Sequence, residues 1–382
     1  MNNLSTLNIN NKNLVIRVDM NVPIKDGKVL DATRIEACLP TIRYALEKDA
    51  KILLISHLGR PTEGMPTEEF SLKPVAIKAS EVFGQSVDLI ESIDDSRIFK
   101  GSSSIQILEN IRFFEGEKNN SSELGLSLSK LGDIYVFDAF GTAHREQAST
   151  HSAIINSKEA CAGILLQQEI DALTKALNES ERPYTAIIGG AKVSTKLELI
   201  NNINEKADHI IVGGGIANTF IKAAGYEVGT SLFEESMIDV AKDLLEKGKV
   251  ILPKHIVTSK TFEGEDVQQK AISNVGKDEM ILDQIVNEEI ERVITYSKTI
   301  LWNGPLGVFE NNLFSNGTKN LSEIIAKSDG FSIAGGGETL SAINKYINKD
   351  DVSYCSTGGG AFLEFMEGKE LPSIQALKSK FK

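Results

Sequence analysis

The sequence predicts an α/β protein of two domains, each built on a doubly wound parallel sheet. The chain has 382 residues, more than twice the usual domain size of roughly 150. Hydrophobic residues make up 41% of it and charged residues 25%, a composition typical of globular proteins with sizeable cores. Short apolar, β-branched runs alternate with helical stretches in both halves, which is the pattern of βαβ units.

The predicted strands of the two halves end differently. In the first half the runs are 14–19, 51–56, 104–108 and 133–138, and polar or charged residues follow them. In the second half the runs are 184–188, 209–212, 250–252, 299–302, 330–334 and 352–355, and most lead into glycine. Ligands of open parallel sheets bind beyond the carboxyl ends of the strands, so the sequence predicts two different sites.

A helix is predicted to join the domains. Apolar residues recur at helical spacing between residues 161 and 177, and Arg182-Pro183 ends the pattern, because a residue that precedes proline disfavours helical backbone. We place the boundary inside this helix, with 1–168 in the first domain and 169–367 in the second.

Composition and charge exclude several classes of protein. The net charge of −12 argues against a nucleic-acid or anionic-membrane surface. No apolar run approaches the roughly 18 residues of a membrane span, and the first residues do not resemble a signal peptide, so a cytoplasmic protein is expected. Cys38, Cys161 and Cys355 stand far apart, which favours structural burial over a disulfide framework or a zinc site.

The arginines are unevenly distributed. Seven of nine precede residue 150, namely Arg17, Arg34, Arg43, Arg60, Arg97, Arg112 and Arg145. The guanidinium group binds carboxylate and phosphate with two parallel hydrogen bonds, so this bias indicates a small anionic ligand; chance scatter is the alternative.

The glycine clusters of the second half indicate a different ligand. Glycine lets the backbone approach a ligand closely, and a helix that begins just beyond it presents N–H groups to phosphate, so these strand ends predict a nucleotide site. The sequence has no GxxxxGK[ST] loop and no GxGxxG motif, which disfavours a P-loop and a dinucleotide fold. Protein-kinase, HExxH and GxSxG signatures are absent as well.

Eight segments resemble the motifs of phosphoglycerate kinases. They are RVDMNVP (17–23), SHLGRP (56–61), LENIRF (108–113), DAFGTAHR (138–145), GGAKVS (189–194), GGGIANTF (213–220), WNGPLGVFE (302–310) and STGGGA (356–361). The resemblance implies reversible phosphoryl transfer from ATP to the carboxylate of 3-phosphoglycerate. It also implies two Rossmann-like domains that face a cleft and close by hinge bending, a C-terminal segment, 368–382, that packs on the first domain, and a monomer.

The resemblance assigns the acid site to the first half. The matching residues are Asp19, Asn21, Arg34, His57, Leu58, Gly59, Arg60, Arg112 and Arg145. Arg34 matches the residue implied to stabilise the transition state; by spacing alone it is a helix-surface arginine, and His57 is equally well a hydrogen-bonded strand-end histidine. Structural or surface roles are expected for Arg17, Arg43, Arg97, His144 and His151.

The nucleotide site is assigned to the second half. The matching residues are Gly189, Lys192, Lys196, Gly213, Gly214, Asn303, Pro305, Glu310, Gly336, Gly337, Glu338 and Thr339. Gly337 and Gly359 match backbone N–H groups that face the transferred phosphoryl, and with Arg34, Lys192 and Lys196 they form the predicted catalytic set. Lys192 and Lys196 are four residues apart, so on a helix after Gly190 they would share one face; a solvated lysine pair is the alternative.

One departure from the family motif concerns magnesium. Glu338 stands where the family usually has an aspartate that holds nucleotide-bound Mg²⁺, and its longer side chain predicts a shifted or water-mediated geometry. An active enzyme is still expected. A nucleotide-dependent binding protein on the same fold and a nicotinamide-dependent oxidoreductase remain the alternatives. The first requires loss of a transfer residue, and the second rests only on the general α/β pattern.

Overall fold

A computed structural model of the chain, described here for residues 1–380, divides into two compact units. The first contains Met1–Asp171 together with the segment from Glu370 onward, and the second is Ala172–Lys369. The domain ranges predicted from the sequence differ from these units by a few residues. Residues 381 and 382 of the predicted C-terminal segment lie outside the described residues.

Both units alternate strands with helices. The strands in chain order are β1 (Asn13–Val18), β2 (Ile24–Lys25), β3 (Lys28–Val29), β4 (Lys51–Ile55), β5 (Val87–Ile90), β6 (Ile105–Leu108), β7 (Ile134–Asp138), β8 (Ala160–Ala162), β9 (Tyr184–Ile188), β10 (His209–Val212), β11 (Val250–Ile251), β12 (His255–Ser259), β13 (Gln268–Ala271), β14 (Met280–Gln284), β15 (Thr299–Asn303), β16 (Phe331–Ala334) and β17 (Tyr354–Cys355).

The helices in chain order are α1 (Thr33–Glu36), α2 (Leu39–Leu46), α3 (Lys73–Phe83), α4 (Ser122–Ser129), α5 (Ala153–Asn156), α6 (Ile164–Asn178), α7 (Leu197–Lys206), α8 (Gly214–Ala223), α9 (Ile238–Glu246), α10 (Glu288–Tyr296), α11 (Asn316–Lys327), α12 (Gly337–Tyr346), α13 (Gly360–Met366) and α14 (Pro372–Ser379). Single-turn helices occur between them, including Ile111–Phe113 and Ser194–Lys196.

The first unit contains a parallel sheet with the order β5-β6-β4-β1-β7-β8. Its inner strands are almost wholly apolar and buried, as in β4, where only Lys51 at the start is exposed. Helices cover such a sheet on both faces, so its strands read as continuous apolar runs. The chain runs outward from β1 through β4 and then returns to its other side at β7. This reversal places a topological switch point at the carboxyl end of β1.

The second unit repeats the design with the parallel order β11-β10-β9-β15-β16-β17. Here the chain leaves β9 in one direction and returns at β15, so the switch point lies between these two strands. Trp302 on β15 is fully buried in the core of this sheet.

Several features differ from the sequence prediction, among them the short antiparallel pair β2-β3, which was not predicted. An antiparallel sheet, β13-β12-β14, was not predicted; β13 is short and largely exposed, so it lacks the apolar signal of a core strand. The sequence pattern predicts helix from residue 161, but the residues around Cys161 form strand β8, and α6 begins only at Ile164. β5 was also missed.

The predicted connecting helix is present as α6, which runs across the boundary between the two units. Its first turn is held by the first unit: Thr41 Oγ1 accepts from Ile164 N at 3.0 Å, and Asp138 Oδ1 accepts from Leu166 N at 2.9 Å. These side chains satisfy N–H groups that a helix start leaves unpaired.

The C-terminal helix α14 also packs in the first unit, where Ser373 N donates to Ala143 O at 3.2 Å. All three cysteines are buried and unbridged, as predicted. Across residues 1–380, no helix combines the length and apolarity that crossing a membrane requires.

Candidate active site

The predicted acid-binding residues meet at one edge of the first sheet. Asp19 follows β1, His57 follows β4, Arg112 lies shortly after β6 and Arg145 shortly after β7. Parallel strands direct these segments to the same edge, at the switch point beside β1. Residues that are more than a hundred positions apart in sequence thereby share one surface.

Arg34 reaches this edge from α1. Its Nη1 donates to Asp19 Oδ2 at 2.8 Å, and its side chain remains 39% exposed. Asp19 Oδ1 lies 4.0 Å from His57 Nδ1, which is too long for a hydrogen bond. Asp19 thus orients the guanidinium of Arg34 and leaves part of it open to a ligand.

Beside these residues lies a basic cavity of about 280 Å³. Its lining consists of Arg60, Arg112, Lys118, Arg145 and Gln147. The three arginines were predicted from the sequence, whereas Lys118 and Gln147 were not. Lysine is common on protein surfaces, so Lys118 carries no signal until the fold places it among the arginines. Four cationic side chains around one small cavity can hold a doubly charged anion.

Burial and crowding lower the pKa values of His57, Arg112 and Arg145. Burial, reinforced by the charges of Arg17, Arg112 and other arginines, holds the pKa of His57 well below its usual value, so His57 is neutral at pH 7. Burial, followed by the charges of Arg145 and Arg17, lowers the pKa of Arg112 to about 10. Burial also lowers the pKa of Arg145. The arginines remain cationic near neutral pH despite their proximity.

Asn21, Leu58 and Gly59 make contacts within the protein. Gly59 N donates to Asn21 Oδ1 at 2.9 Å, and Leu58 N donates to Asn110 Oδ1 at 3.2 Å. Arg112 Nη1 donates to Gly59 O. Gly59 has φ +58°, and a Cβ there would lie 2.4 Å from the ring of Phe70, so this turn requires glycine. The three residues shape the loop that carries Arg60.

The remaining arginines and histidines lie outside the cavity lining. Arg17 is buried and hydrogen-bonded, while Arg43 is exposed. Arg97 is exposed and pairs with Asp95 at 2.6 Å. His144 and His151 are partly buried, and His151 Nδ1 lies 3.1 Å from Asn120 Nδ2. These placements agree with the structural and surface roles expected of them.

The second unit has a larger cavity, of about 440 Å³, at its switch point. Four of the predicted nucleotide-binding residues line it: Gly214, Pro305, Glu310 and Glu338. The lining also includes Asn218 of the GGGIANTF motif, together with residues that the sequence did not reveal, among them Leu232, Phe262, Met280, Leu282 and Asp283. Phe262 is 56% exposed and Leu232 54%. Such apolar side chains carry no motif, and only the tertiary fold brings them to the glycine-rich strand ends.

The glycines of this edge serve two purposes. At Gly189 a Cβ would lie 2.1 Å from Pro305 O, and at Gly213 2.3 Å from the same oxygen. These glycines let neighbouring strand ends pack against each other rather than against a ligand. At Gly337 and Gly359 a Cβ would meet nothing within 4 Å. Each lies at the start of a helix, α12 and α13, where N–H groups are available to phosphate.

The expectation that Lys192 and Lys196 share a helix face is wrong. Lys192 lies in an irregular, exposed segment, and α7 begins only after Lys196. Lys196 Nζ donates to Gly189 O at 2.5 Å and to Asn303 Oδ1 at 2.6 Å, and lies 3.2 Å from Asn303 O. Burial lowers the pKa of Lys196 to about 8, against the opposing effect of Glu338. The Lys196 ammonium is thus hydrogen-bonded to the carboxyl ends of β9 and β15.

Asn303 and Thr339 support the nucleotide edge from below. Asn303 Nδ2 donates to Gly335 O at 2.7 Å. Thr339 Oγ1 donates to Gly335 O at 2.9 Å and accepts from Gly304 N at 2.8 Å. Both side chains are almost fully buried. These hydrogen bonds connect the turn after β15 with the turn after β16. Gly336, which has φ +96°, follows Gly335 in the second of these turns.

Comparisons with known proteins agree with this arrangement. A family model described as phosphoglycerate kinase matches residues 4–369. The phosphoglycerate kinase of Vibrio campbellii is 48% identical over an alignment of 382 positions, which covers 99% of this chain and 99% of the relative. That of Francisella tularensis subsp. novicida is 48% identical over 385 residues, covering 99% of this chain and 98% of the relative.

Solved structures give the same result. Phosphoglycerate kinase from Coxiella burnetii superposes with a TM-score of 0.93 at 44% identity, covering 100% of this chain and 99% of the other. The enzyme from Pyrococcus horikoshii superposes with a TM-score of 0.83 at 32% identity and the same coverage. With a family match over nearly all of its length, relatives at 48% identity and two parallel six-stranded sheets, the chain belongs to the phosphoglycerate kinase family.

Proposed function

We propose that the chain is an ATP:3-phosphoglycerate 1-phosphotransferase of glycolysis and gluconeogenesis. It transfers a phosphoryl group from ATP to the carboxylate of 3-phosphoglycerate, and in reverse from 1,3-bisphosphoglycerate to ADP. The observation that carries this proposal within the chain is the basic cavity of Arg60, Arg112, Lys118 and Arg145 beside Arg34. Membership of the family supplies the reaction.

In this proposal the phosphate of 3-phosphoglycerate occupies the basic cavity. Its carboxylate lies toward Arg34, Asn21 and His57. A carboxylate is already an ionised nucleophile, so no side chain has to remove a proton before attack. What the protein must supply is position and positive charge around the phosphoryl group in transit. Arg34 fits that need because it is oriented by Asp19 and is still partly exposed.

The nucleotide is proposed to occupy the cavity of the second unit. Its base would lie among the apolar lining residues and its ribose near Glu310, while the phosphates would reach beyond this lining to Gly337, Gly359, Lys192 and Lys196. Gly213, Gly214 and Gly336 belong to the same backbone edge. The N-termini of α12 and α13 would stabilise the negative charge of the transferred group.

Magnesium is the expected cofactor, and Glu338 fits it. Mg²⁺ is commonly held by one or two carboxylates together with nucleotide phosphates. The Glu338 carboxylate lies in the first turn of α12, is exposed, and lines the nucleotide cavity. The ion would neutralise part of the charge on the phosphates.

We further propose that the two domains close by hinge bending about α6 once both substrates are bound, so that direct in-line transfer occurs away from water. The protein is proposed to act as a cytoplasmic monomer without a nucleic-acid or membrane partner. The net charge of −12 supports the last point.

A coupled assay with a matched pair of arginine variants tests the function. ATP consumption should require 3-phosphoglycerate. Arg145→Gln should raise the KM for 3-phosphoglycerate by about tenfold or more, since a lost hydrogen bond between charged groups costs about 1.5–3 kcal/mol. Arg43→Gln, which alters an exposed arginine of the same unit, should leave that KM unchanged.

Other results would favour the alternative functions. ADP binding without turnover would indicate a nucleotide-dependent binding protein, and NADH binding would indicate an oxidoreductase. An unchanged KM in Arg145→Gln would remove the basic cavity from the acid site.

A further inference from the structure

A buried guanidinium lies beneath the acid site without lining its cavity. Arg17, on β1, is 1% exposed. Its Nη1 donates to Val18 O, its Nε donates to Ser149 Oγ at 2.9 Å, and its Nη2 lies 3.4 Å from His57 Nδ1. All three nitrogens therefore have partners, so the plane of the guanidinium is held in one orientation.

A buried carboxylate lies at the other end of this contact chain. Glu117 is fully buried. Ser149 Oγ donates to Glu117 Oε1 at 2.6 Å, and Ser149 N donates to Glu117 Oε2 at 2.8 Å. Burial raises the pKa of Glu117, while the charge of Arg17 and the bonds from Ser149 oppose the rise. The Ser149 hydroxyl group thus connects the Glu117 carboxylate to the guanidinium of Arg17.

The chemistry of the side chains determines the direction of the hydrogen bonds that connect Glu117, Ser149, Arg17 and His57. A guanidinium can only donate and a carboxylate only accepts, so Ser149 Oγ must accept from Arg17 and donate to Glu117. For the same reason His57 Nδ1 must accept from Arg17. A neutral imidazole that accepts at Nδ1 carries its proton on Nε2.

We propose that Glu117 is a positioning residue of the acid site: through Ser149 and Arg17 it holds His57 in the neutral form that is protonated on Nε2. His57 then offers a hydrogen-bond donor to an anion oxygen without adding another cation to a site already crowded with arginines. This inference rests on the proposed function in taking that anion to be 3-phosphoglycerate. None of the relay residues Glu117, Ser149 and Arg17 lines the basic cavity.

Nitrogen NMR on the full-length protein with ¹⁵N-labelled histidine tests the tautomer directly. The signal of His57 is assigned by its loss in His57→Gln. Near pH 7.5, before any ligand is added, His57 should show a protonated Nε2 and an unprotonated Nδ1. A proton on Nδ1, or on both nitrogens, would overturn the proposal whatever the variants do.

Two relay variants with matched controls test its effect on binding. Ser149→Ala keeps every charge and removes the hydroxyl; it should raise the KM for 3-phosphoglycerate about fivefold, as expected for one hydrogen bond, with the KM for ATP unchanged. In the nitrogen spectrum, both Ser149→Ala and Glu117→Gln should give a mixture of the two neutral tautomers of His57. Ser157→Ala, which removes another buried hydroxyl of the first unit, and Glu115→Gln, at an exposed glutamate two positions away, should match the parent.

The two proposals fail in different ways. If the relay variants are folded and retain the parental nitrogen pattern and KM, the relay is wrong. If the pattern changes while neither Ser149→Ala nor Arg145→Gln changes the KM, the acid site itself is wrong and the proposed role of the relay falls with it. Should Glu117→Gln fail to fold, Ser149→Ala and the parental spectrum decide the matter.

Discussion

The two candidate sites place positive charge in partly buried surroundings with different side chains, arginine in the first unit and lysine in the second. The first site crowds arginines together, and burial lowers the pKa of Arg112 only to about 10, so its charge is retained at neutral pH. The second site uses Lys196, whose pKa falls to about 8. Arginine keeps its charge in a crowded site, whereas a buried lysine gives it up readily. Nucleotide binding is therefore the step that should respond to mildly alkaline pH.

Proton uptake by Lys196 gives the first prediction. Bound phosphates favour the ammonium, so they should raise its pKa back toward the ordinary value near 10.4. The affinity for ADP should then be flat below pH 8 and fall as the pH rises above it, by up to about tenfold per unit. Titration calorimetry between pH 7 and 9.5, in buffers of different ionisation enthalpy, measures both the affinity and the proton uptake.

The neighbouring lysine provides the control for this prediction. Lys196→Gln should weaken ADP binding and abolish the fall above pH 8. Lys192→Gln alters an exposed lysine of the same motif; it should weaken binding and keep the fall. A parental affinity that does not change up to pH 9.5 would contradict the assignment.

At the scale of elements, strand ends and helix starts are joined by buried polar contacts. Asp283, the penultimate residue of β14, is 1% exposed, and its Oδ2 accepts from Gly317 N near the start of α11 at 2.8 Å. Burial raises the pKa of Asp283 to about 7, although the bonds from Gly317 N and Gln284 N act against the rise. This hydrogen bond holds Asp283 in place in the lining of the larger cavity. Because the carboxyl group is buried, its ionisation lowers the stability of the folded protein.

Removing that charge gives the second prediction. Because the folded pKa of Asp283 lies above the unfolded value near 3.9, folding favours the protonated form, and stability falls as the pH rises from about 4 to 7. Asp283→Asn should therefore increase the free energy of unfolding at pH 8 by on the order of 2–4 kcal/mol, with the gain shrinking toward pH 4. Chemical denaturation at several pH values measures it.

Asp278 is the matched control because its side chain is 77% exposed and lies on the same segment. Asp278→Asn should change stability little at any pH in this range. An Asp283→Asn variant less stable than the parent at pH 8 would show that the carboxylate stabilises α11 more than its burial costs.

Elements were predicted well where apolar periodicity was strong and poorly where it was weak. The strands 184–188 and 209–212 coincide with β9 and β10, since buried parallel strands are continuous apolar runs. The spacing of Lys192 and Lys196 predicts a shared helix face, but spacing alone cannot show that the segment after Gly190 is irregular. The polar strand β13 gave no signal.

For the whole molecule, each unit carries its own sheet, switch point and cavity. Net charge describes neither site: the chain carries −12, yet four cationic side chains surround the basic cavity of the first unit. Local charge governs binding here because exposed charges beyond about 10 Å are screened by salt. Each unit should accordingly respond to its own ligand.

Hydrogen exchange gives the third prediction. 3-Phosphoglycerate should slow amide exchange at the segments after β1, β4 and β7, and ADP at the segments after β9, β15 and β16, because a ligand lowers the population of locally open states at its site. Mass spectrometry with each ligand separately measures this. Protection by 3-phosphoglycerate confined to residues 172–369 would reverse the assignment of the two units.

The sequence by itself determined the α/β class, the two-unit plan, the family, the three arginines that line the basic cavity, and four of the residues that line the larger cavity. It could do so because buried strands, glycine turns and arginine motifs leave local patterns. The tertiary structure alone decided that Lys118 and Gln147 join the basic cavity, that Phe262 and Asp283 line the nucleotide cavity, and that Lys196 rests on Asn303. It also brought Glu117 within reach of Arg17 through Ser149. Contacts between residues far apart in the chain arise only when strands pair and their ends meet, so no local pattern encodes them.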